Sequence, residues 1–521
     1  MNDRMHSRWG LGALLMLVLA GCSRAVQPSP ASPVEADILS KLYGGRPTSC
    51  AKPMRYASMG LALADLNADG YVDMVVSNGG DVAPQELVVY YNKGAQAPGS
   101  FPELPDWSSR TREYHTNLAV GDINGDGWLD VAVAVGMDRK RDRGGGGVRV
   151  YFNQGGQLAV EPAYVTQDRY GTFSCALGDV DGDGDLELAV ASLRETDGGQ
   201  GPVRIYENRD GTLSPLPQWH SADEMMAGNL LFADVDRDGL LDLVVAASQV
   251  RVYFARMDAK ARIRLEQLPA WRSEPEAPGL VPTHLDVGAL GRDGGVGVVA
   301  SYNDEPCPAG AEGCGPAHFT AYLPMEGRSP VWRSGSHGPG SGVLLANLDQ
   351  DEPLELVASR WGSPGDTRGA PLFFYQDCSM SQACATPLGL HPAYETAEPA
   401  VVETLAAADL DNGALVEHVE RFHIQQARAV VTLSQQLVQR ITQVLRNGQP
   451  LGRDAYISIP GRNWVSFAER LRPGDKVEVR YLHSNALDIV SAHQDCHSDT
   501  CIYYRGTHMP TSAASTRRDI P

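Results

Sequence analysis

A nine-residue acidic pattern, Asp-x-Asp/Asn-x-Asp-Gly-x-x-Asp/Glu, recurs along the chain at nearly fixed intervals. It reads DLNADGYVD, DINGDGWLD, DVDGDGDLE and DVDRDGLLD, led by Asp65, Asp122, Asp179 and Asp234, which lie 57, 57 and 55 residues apart. Weaker copies begin at Asp286, Asn347 and Asp409, after further intervals of 52, 61 and 62. A second marker keeps the same rhythm: Pro-x-Trp/Tyr ends at Trp107, Tyr164, Trp219, Trp271, Trp332 and Tyr394, each 15 residues before the next leading residue. A chain built this way must stack like units, because one unit of this length cannot bury its own apolar faces.

The units predict strands. An apolar segment follows each acidic loop (DMVVSN, DVAVAV, ELAVAS, DLVVAA, ELVASR), then an aromatic one (LVVYYN, VRVYFN, VRIYEN, VRVYFA, PLFFYQ). A fourth strand is expected to run up to the Pro-x-aromatic, and another leads into the next loop. Four strands per unit and seven units predict an all-β, seven-bladed β-propeller over residues 37–413, resuming at 485–507. No unit of its own surrounds residues 38–50, so this N-terminal segment is expected to complete the seventh blade and clasp the ring. The seventh unit is interrupted: ALDIVSAHQ, the match to VDMVVSN, comes only at 486–494. The strand-like segments between predict a small β-sandwich-like module inserted at 414–484, projecting from the face that carries the acidic loops. Residues 508–521 read as a tail.

The acidic loops point to a hard cation. Four oxygen-bearing side chains within nine residues repel one another unless an ion with six to eight oxygen ligands neutralises them, whereas solvated acidic turns would need no such spacing. An EF-hand would place Glu at position 12 between helices, but Val76, Val133, Val190 and Val245 stand there inside strands. With these features the chain resembles the FG-GAP/VCBS repeat family, which forms the propellers of integrin α chains. The resemblance implies Ca²⁺ at four loops: Asp65, Asn67, Asp69, Tyr71 (carbonyl) and Asp73; Asp122, Asn124, Asp126, Trp128 (carbonyl) and Asp130; Asp179, Asp181, Asp183, Asp185 and Glu187; Asp234, Asp236, Asp238, Leu240 and Asp242. Asn347, Asp349, Asp351 and Glu355 form a candidate fifth, with Glu352 in place of the turn glycine. Gly288 and Leu290 replace ligands in the fifth unit, so no ion is expected there. In the seventh, Asp488 aligns with Asp73 and is a candidate to complete a split site with Asp409 and Asp411.

The N-terminus predicts export. Arg4 and Arg8 precede the apolar run Leu11–Ala20, too short to span a bilayer. Leu19-Ala20-Gly21-Cys22 resembles the lipobox of bacterial lipoproteins, which implies a signal peptide at 1–21, a lipid on Cys22 and an outer-membrane protein facing periplasm or cell surface. Residues 22–36, rich in Pro, Ser and Ala, suit a tether. Eight cysteines then remain for an oxidising compartment. Cys307 with Cys314, Cys378 with Cys384, and Cys496 with Cys501 are expected to form short disulfide clips. Cys175 occupies a place held by Leu61, Leu118 and Leu230 in other units, and is expected to be a buried core thiol.

Sixty-four acidic against 44 basic residues give a net charge of −20, which argues against a nucleic-acid partner. No catalytic motif is present, although His493, Asp495 and His497 are close in sequence. The leading reading is an extracytoplasmic binding or adhesion module for a protein or glycan partner. A polysaccharide lyase or hydrolase on a propeller scaffold and an envelope-assembly scaffold are the alternatives.

Overall fold

A computed structural model describes residues 49–503, apart from 51–55, 81, 137–145, 169, 195–199, 277–279, 291–294, 305–318, 336–339, 350–352, 361–369, 378–385, 397–399 and 494–499. Cys22, the pairs Cys307/Cys314 and Cys378/Cys384, and Cys496, Asp351, Asp495 and His497 therefore lie outside the described residues.

Seven four-stranded antiparallel sheets follow one another in a ring. The first comprises Ser58–Ala64, Asp73–Asn78, Val88–Tyr90 and Trp107–Ser108, in that order from the innermost strand outward. Each innermost strand packs on its successor, and the seventh, Val402–Ala408, packs back on Ser58–Ala64. Side chains seal that junction: Thr404 Oγ1 donates to the Met59 carbonyl (2.6 Å) and Asn92 Nδ2 to the Leu410 carbonyl (2.8 Å). The second strands are largely buried, DVAVAV at every residue, which explains their continuous apolar character.

The last blade is assembled from three stretches of chain. Its order is Val402–Ala408, Asp488–His493, Thr500–Tyr503 and Ser49–Cys50. Ser49 pairs with Ile502 and Cys50 with Cys501, so an N-terminal strand closes the ring as the sequence predicts.

The Pro-x-aromatic marker differs from expectation in one respect. The fourth strand does not run up to the aromatic but begins at it, as in Trp107–Ser108, Tyr164–Val165 and Trp219–His220. The proline two residues earlier has no N–H for the ladder, so pairing starts only after it. The aromatic itself latches neighbouring blades. Trp107, Trp219, Trp271 and Trp332 donate their indole N–H to the carbonyls of Leu158, Leu265, Gly327 and Gly389 in the following blade, at 2.9, 3.1, 2.7 and 3.0 Å. Tyr164 does the same with its hydroxyl to Ser214 (2.6 Å).

Between Ala408 and Asp488 the chain builds two further sheets. One holds Leu415–His423, Lys476–Ser484, Arg440–Arg446 and Gln449–Pro450; the other holds Arg428–Thr432, Trp464–Leu471 and Tyr456–Ile457. They enclose a small core including Val431, Val444, Phe467 and Val479. Ala429, Val430 and Trp464 belong instead to a core shared with Leu186, Leu240 and Ile263 of the propeller. The module thus sits on the face that bears the acidic loops.

Candidate metal centre

Each acidic loop joins the innermost strand of a blade to the second, and its geometry repeats. The ninth residue is the first of the second strand at Asp73, Asp130, Glu187, Asp242 and Glu355, and Asp488 takes that place in the seventh blade, beyond the inserted module. All six are buried. Each carboxylate accepts the backbone N–H of position 2, from Leu66, Ile123, Val180, Val235, Leu348 and Leu410, at 2.6–3.1 Å. The first carboxylate accepts the N–H of the turn residue: Gly70 to Asp65, Gly127 to Asp122, Gly184 to Asp179, Gly239 to Asp234 and Ala414 to Asp409, at 2.8–3.0 Å. At position 6 the chain takes φ of +92°, +90°, +96° and +84° at Gly70, Gly127, Gly184 and Gly239, a left-handed turn that favours glycine. Position 5 holds position 7, since Asp69, Asp126, Asp183 and Asp238 accept the N–H groups of Tyr71, Trp128, Asp185 and Leu240 at 2.9–3.0 Å. The carboxylates are thereby turned inward.

Three carboxylate clusters result among the described residues. Asp179, Asp181 and Glu187 bring their ligand oxygens within 4.8 Å of one another, as do Asp234, Asp236 and Asp242, and Asp349, Glu355 and Asp377. In the first two loops Asn67 and Asn124 occupy position 3 and turn their side-chain carbonyls to the N–H groups of Asp69 and Asp126.

The electrostatics of these clusters are those of unbalanced negative charge. Burial lifts Asp179 and Asp234 to about 7 and Asp242 to about 8, with neighbouring carboxylates adding to the rise. It likewise lifts Asp73 and Asp130 to about 7, and Glu187 well above its usual range. Buried oxygens Glu187 Oε1, Asp234 Oδ1 and Asp122 Oδ1 have no hydrogen-bond partner among the described residues. An oxygen-only donor set with inward-facing, unsatisfied carboxylate oxygens fits a divalent cation that prefers hard ligands.

Two contributors escape sequence reasoning. Asp377 ends the aromatic strand of its blade, where Asn92, Asn153 and Asn208 stand in the first three units. Those asparagines tie adjacent loops by donating to backbone carbonyls, as Asn153 does to Leu66 (2.8 Å) and Leu129 (3.1 Å). Alignment of the aromatic strands is the signal that would have found Asp377. Arg256, one residue further on in the fourth unit, reaches Asp236 (2.7 Å) and Asp238 (3.0 Å) and supplies that loop with one positive charge.

The remaining candidates fall elsewhere. Asp286, Gly288 and Leu290 do not form a loop but continue the strand Leu280–Leu290, paired residue by residue with Gly295–Asp304. Asp409, Asp411 and Asp488 are not among the three clusters of the described residues: Ser484 Oγ donates to Asp409 (3.0 Å), while Asp488 takes the Leu410 N–H. Cys175 is a buried free thiol, pushed up to about 12 by burial. His493 is buried, with Nε2 at 2.8 Å from Ser491 Oγ. A cavity of about 720 Å³ lies between the second and third loops and the module, with Trp128, Tyr456, Asp126, Asp185, Asp210 and Arg453 on its walls.

Comparison with known proteins agrees with this geometry. Residues 57–133 and 191–245 match the FG-GAP-like repeat, and residues 116–151 and 171–206 the FG-GAP repeat. Integrin alpha-V of Gallus gallus is 27% identical over 246 residues, covering 43% of this chain and 23% of that protein. Integrin alpha-IIb of Mus musculus is 32% identical over 169 residues, 29% of this chain and 16% of its own length. Integrin alpha-7 of Homo sapiens is 32% identical over 148 residues, 26% and 12% respectively. The chain spans less than a quarter of the length of each of these relatives. The family-model matches fall within residues 57–245, where the acidic loops of the first four blades lie, and together with the integrin α similarity they support an FG-GAP repeat, integrin-like propeller.

Proposed function

We propose that this protein is a calcium-stabilised propeller that acts outside the cytoplasm as a binding or adhesion module. The observation that carries the reading is the pair of carboxylate clusters at the third and fourth loops, each with two buried members and ligand oxygens within 4.8 Å of one another. Calcium is the extracytoplasmic divalent ion that best suits several carboxylates and backbone carbonyls in a flexible loop, typically with Kd of about 10⁻⁴ to 10⁻³ M. The first and second loops, with Asn at position 3, complete a set of four, and the Asn347 loop with Asp377 is a fifth candidate. In this reading the ion is structural: it removes carboxylate repulsion and stabilises the folded chain by mass action.

The partner is a protein or a glycan. Similarity to integrin α chains supports a protein ligand, and the aromatic faces of Trp128 and Tyr456 beside carboxylates suit a sugar ring or a basic side chain. Cys22, lipid-modified after removal of residues 1–21, anchors the molecule to the outer membrane through the 22–36 tether. Calorimetric titration with calcium, followed by capture on glycan arrays and on envelope proteins with calcium or chelator, tests the proposal. It expects calcium uptake and calcium-dependent retention; a chain that takes up no calcium, or retains nothing in either condition, refutes it. Cys22→Ala should move the protein from the membrane to the soluble fraction.

A further inference from the structure

The inserted module carries ten arginines and lysines against six acidic residues over 414–484, on a chain whose net charge is −20. It presents different chemistry to different loops. At the third loop Ser466 Oγ donates to Asp179 Oδ2 (2.7 Å, buried). Ala468 lies so close to Gly184 that a Cβ there would come within 2.6 Å of it, and Ala429 would stand 3.0 Å from a Cβ on Gly182. At the fourth loop the N–H groups of Ala429 and Val430 both donate to the Gly239 carbonyl (3.0 Å each), with Arg428 beside Asp234. Asp179 and Asp234 are consequently 1% and 6% exposed. At the fifth blade, where the ligands are lost, the module instead sends Arg462 to Asp286 (3.5 Å). The first and second loops keep exposed tips at Ala68, Asp69, Gly125 and Asp126, and the third keeps Asp181 and Asp183 exposed beside the covered Asp179.

Covering carboxylates with alanines and a hydroxyl is unfavourable unless a counter-charge is enclosed with them. Arg462 provides one where a loop has few oxygens, and Arg256 and Arg428 provide part of one at the fourth loop. The third loop, with Asp179, Asp181, Asp183 and Glu187, receives a serine. We propose that the 415–484 module is a cap whose seating on the third and fourth loops is coupled to their occupancy by the cation, each favouring the other. The inference rests on the calcium reading above and adds its regulation: the cap covers Asp179 and Asp234, the leading carboxylates of these two loops, and calcium withdrawal lifts it. Coupling of this kind is reciprocal, so loosening the cap must weaken the two capped sites.

Hydrogen exchange on the full-length chain, in calcium and in chelator, tests it. Chelation should speed exchange of the Ala429 and Val430 amides by about tenfold or more, a size typical of coupled sites, while the Arg440–Arg446 ladder inside the module keeps its protection. Ala468→Glu, which sets a like charge against Gly184, should weaken two of the calcium sites in calorimetry and spare the others. Ser466→Ala should do so more mildly, without the steric conflict. Calcium binding with unchanged exchange at 429–430 overturns the coupling alone. So does simultaneous loss of protection at 440–446, or a variant that binds calcium like the parent. A chain with no calcium uptake overturns the calcium reading, and this inference with it.

Discussion

Glu187 divides its two oxygens between the backbone and the proposed ion site. Its Oε2 accepts the Val180 N–H (2.8 Å), whereas Oε1 is buried without a hydrogen-bond partner among the described residues. Glu187→Gln preserves the first bond and turns an amide toward Asp179 and Asp181. Melting in chelator should therefore rise, because repulsion is relieved, and the gain from added calcium should shrink; calorimetry should count one site fewer. Histidines set the response to acid. His115 and His284 are buried, and burial lowers each to about 4 from an ordinary 6.5. The unfolded chain binds their protons first, so the histidines' share of stability falls as pH drops from about 6.5 towards 4, by on the order of 2 kcal/mol per histidine at pH 5. The loop carboxylates raised to about 7 act in the opposite direction when no ion is bound, so the histidine share is read as a difference: between pH 7 and 5, denaturant titrations of His115→Leu/His284→Leu should show a change more favourable to folding than the parent's.

At the level of strands and turns, the Pro-x-aromatic latch makes a graded prediction. Tyr164→Phe and Trp271→Phe each remove a hydrogen bond to the next blade and should lower stability by about 1 kcal/mol in urea unfolding. Tyr394→Phe should be nearly neutral, since the Tyr394 hydroxyl has no hydrogen-bond partner among the described residues. The period of this marker was legible in sequence because proline and a large aromatic are easily aligned; its role was not, because the accepting carbonyl lies about 50 residues on. The strands of the blades were legible as apolar runs for the same local reason. Leu415–His423 was not, since its half-exposed, charge-rich face mutes alternation and its pairing with Lys476–Ser484 is long-range. The loop carboxylates were readable from spacing, while Arg256 and Asp377 enter from elsewhere in their blades. That the module covers the loops depends on contacts such as Ser466 with Asp179, which are 287 residues apart.

For the whole molecule, closure joins the two ends of the repeat array. Deleting residues 38–50 should leave Thr500–Tyr503 as an unpaired edge, lower the melting temperature and promote edge-to-edge association, which size-exclusion chromatography would register as dimers or larger species. A chain of unchanged size and stability would mean that this strand is dispensable. The closing pair has a mechanical corollary. Any pull applied to the chain before residue 49 reaches the ring through Ser49–Cys50, a contact only two residue pairs long. The wheel is therefore weakest under tension where it is tied to whatever holds its N-terminus, and traction there peels open the rim before it strains the hub.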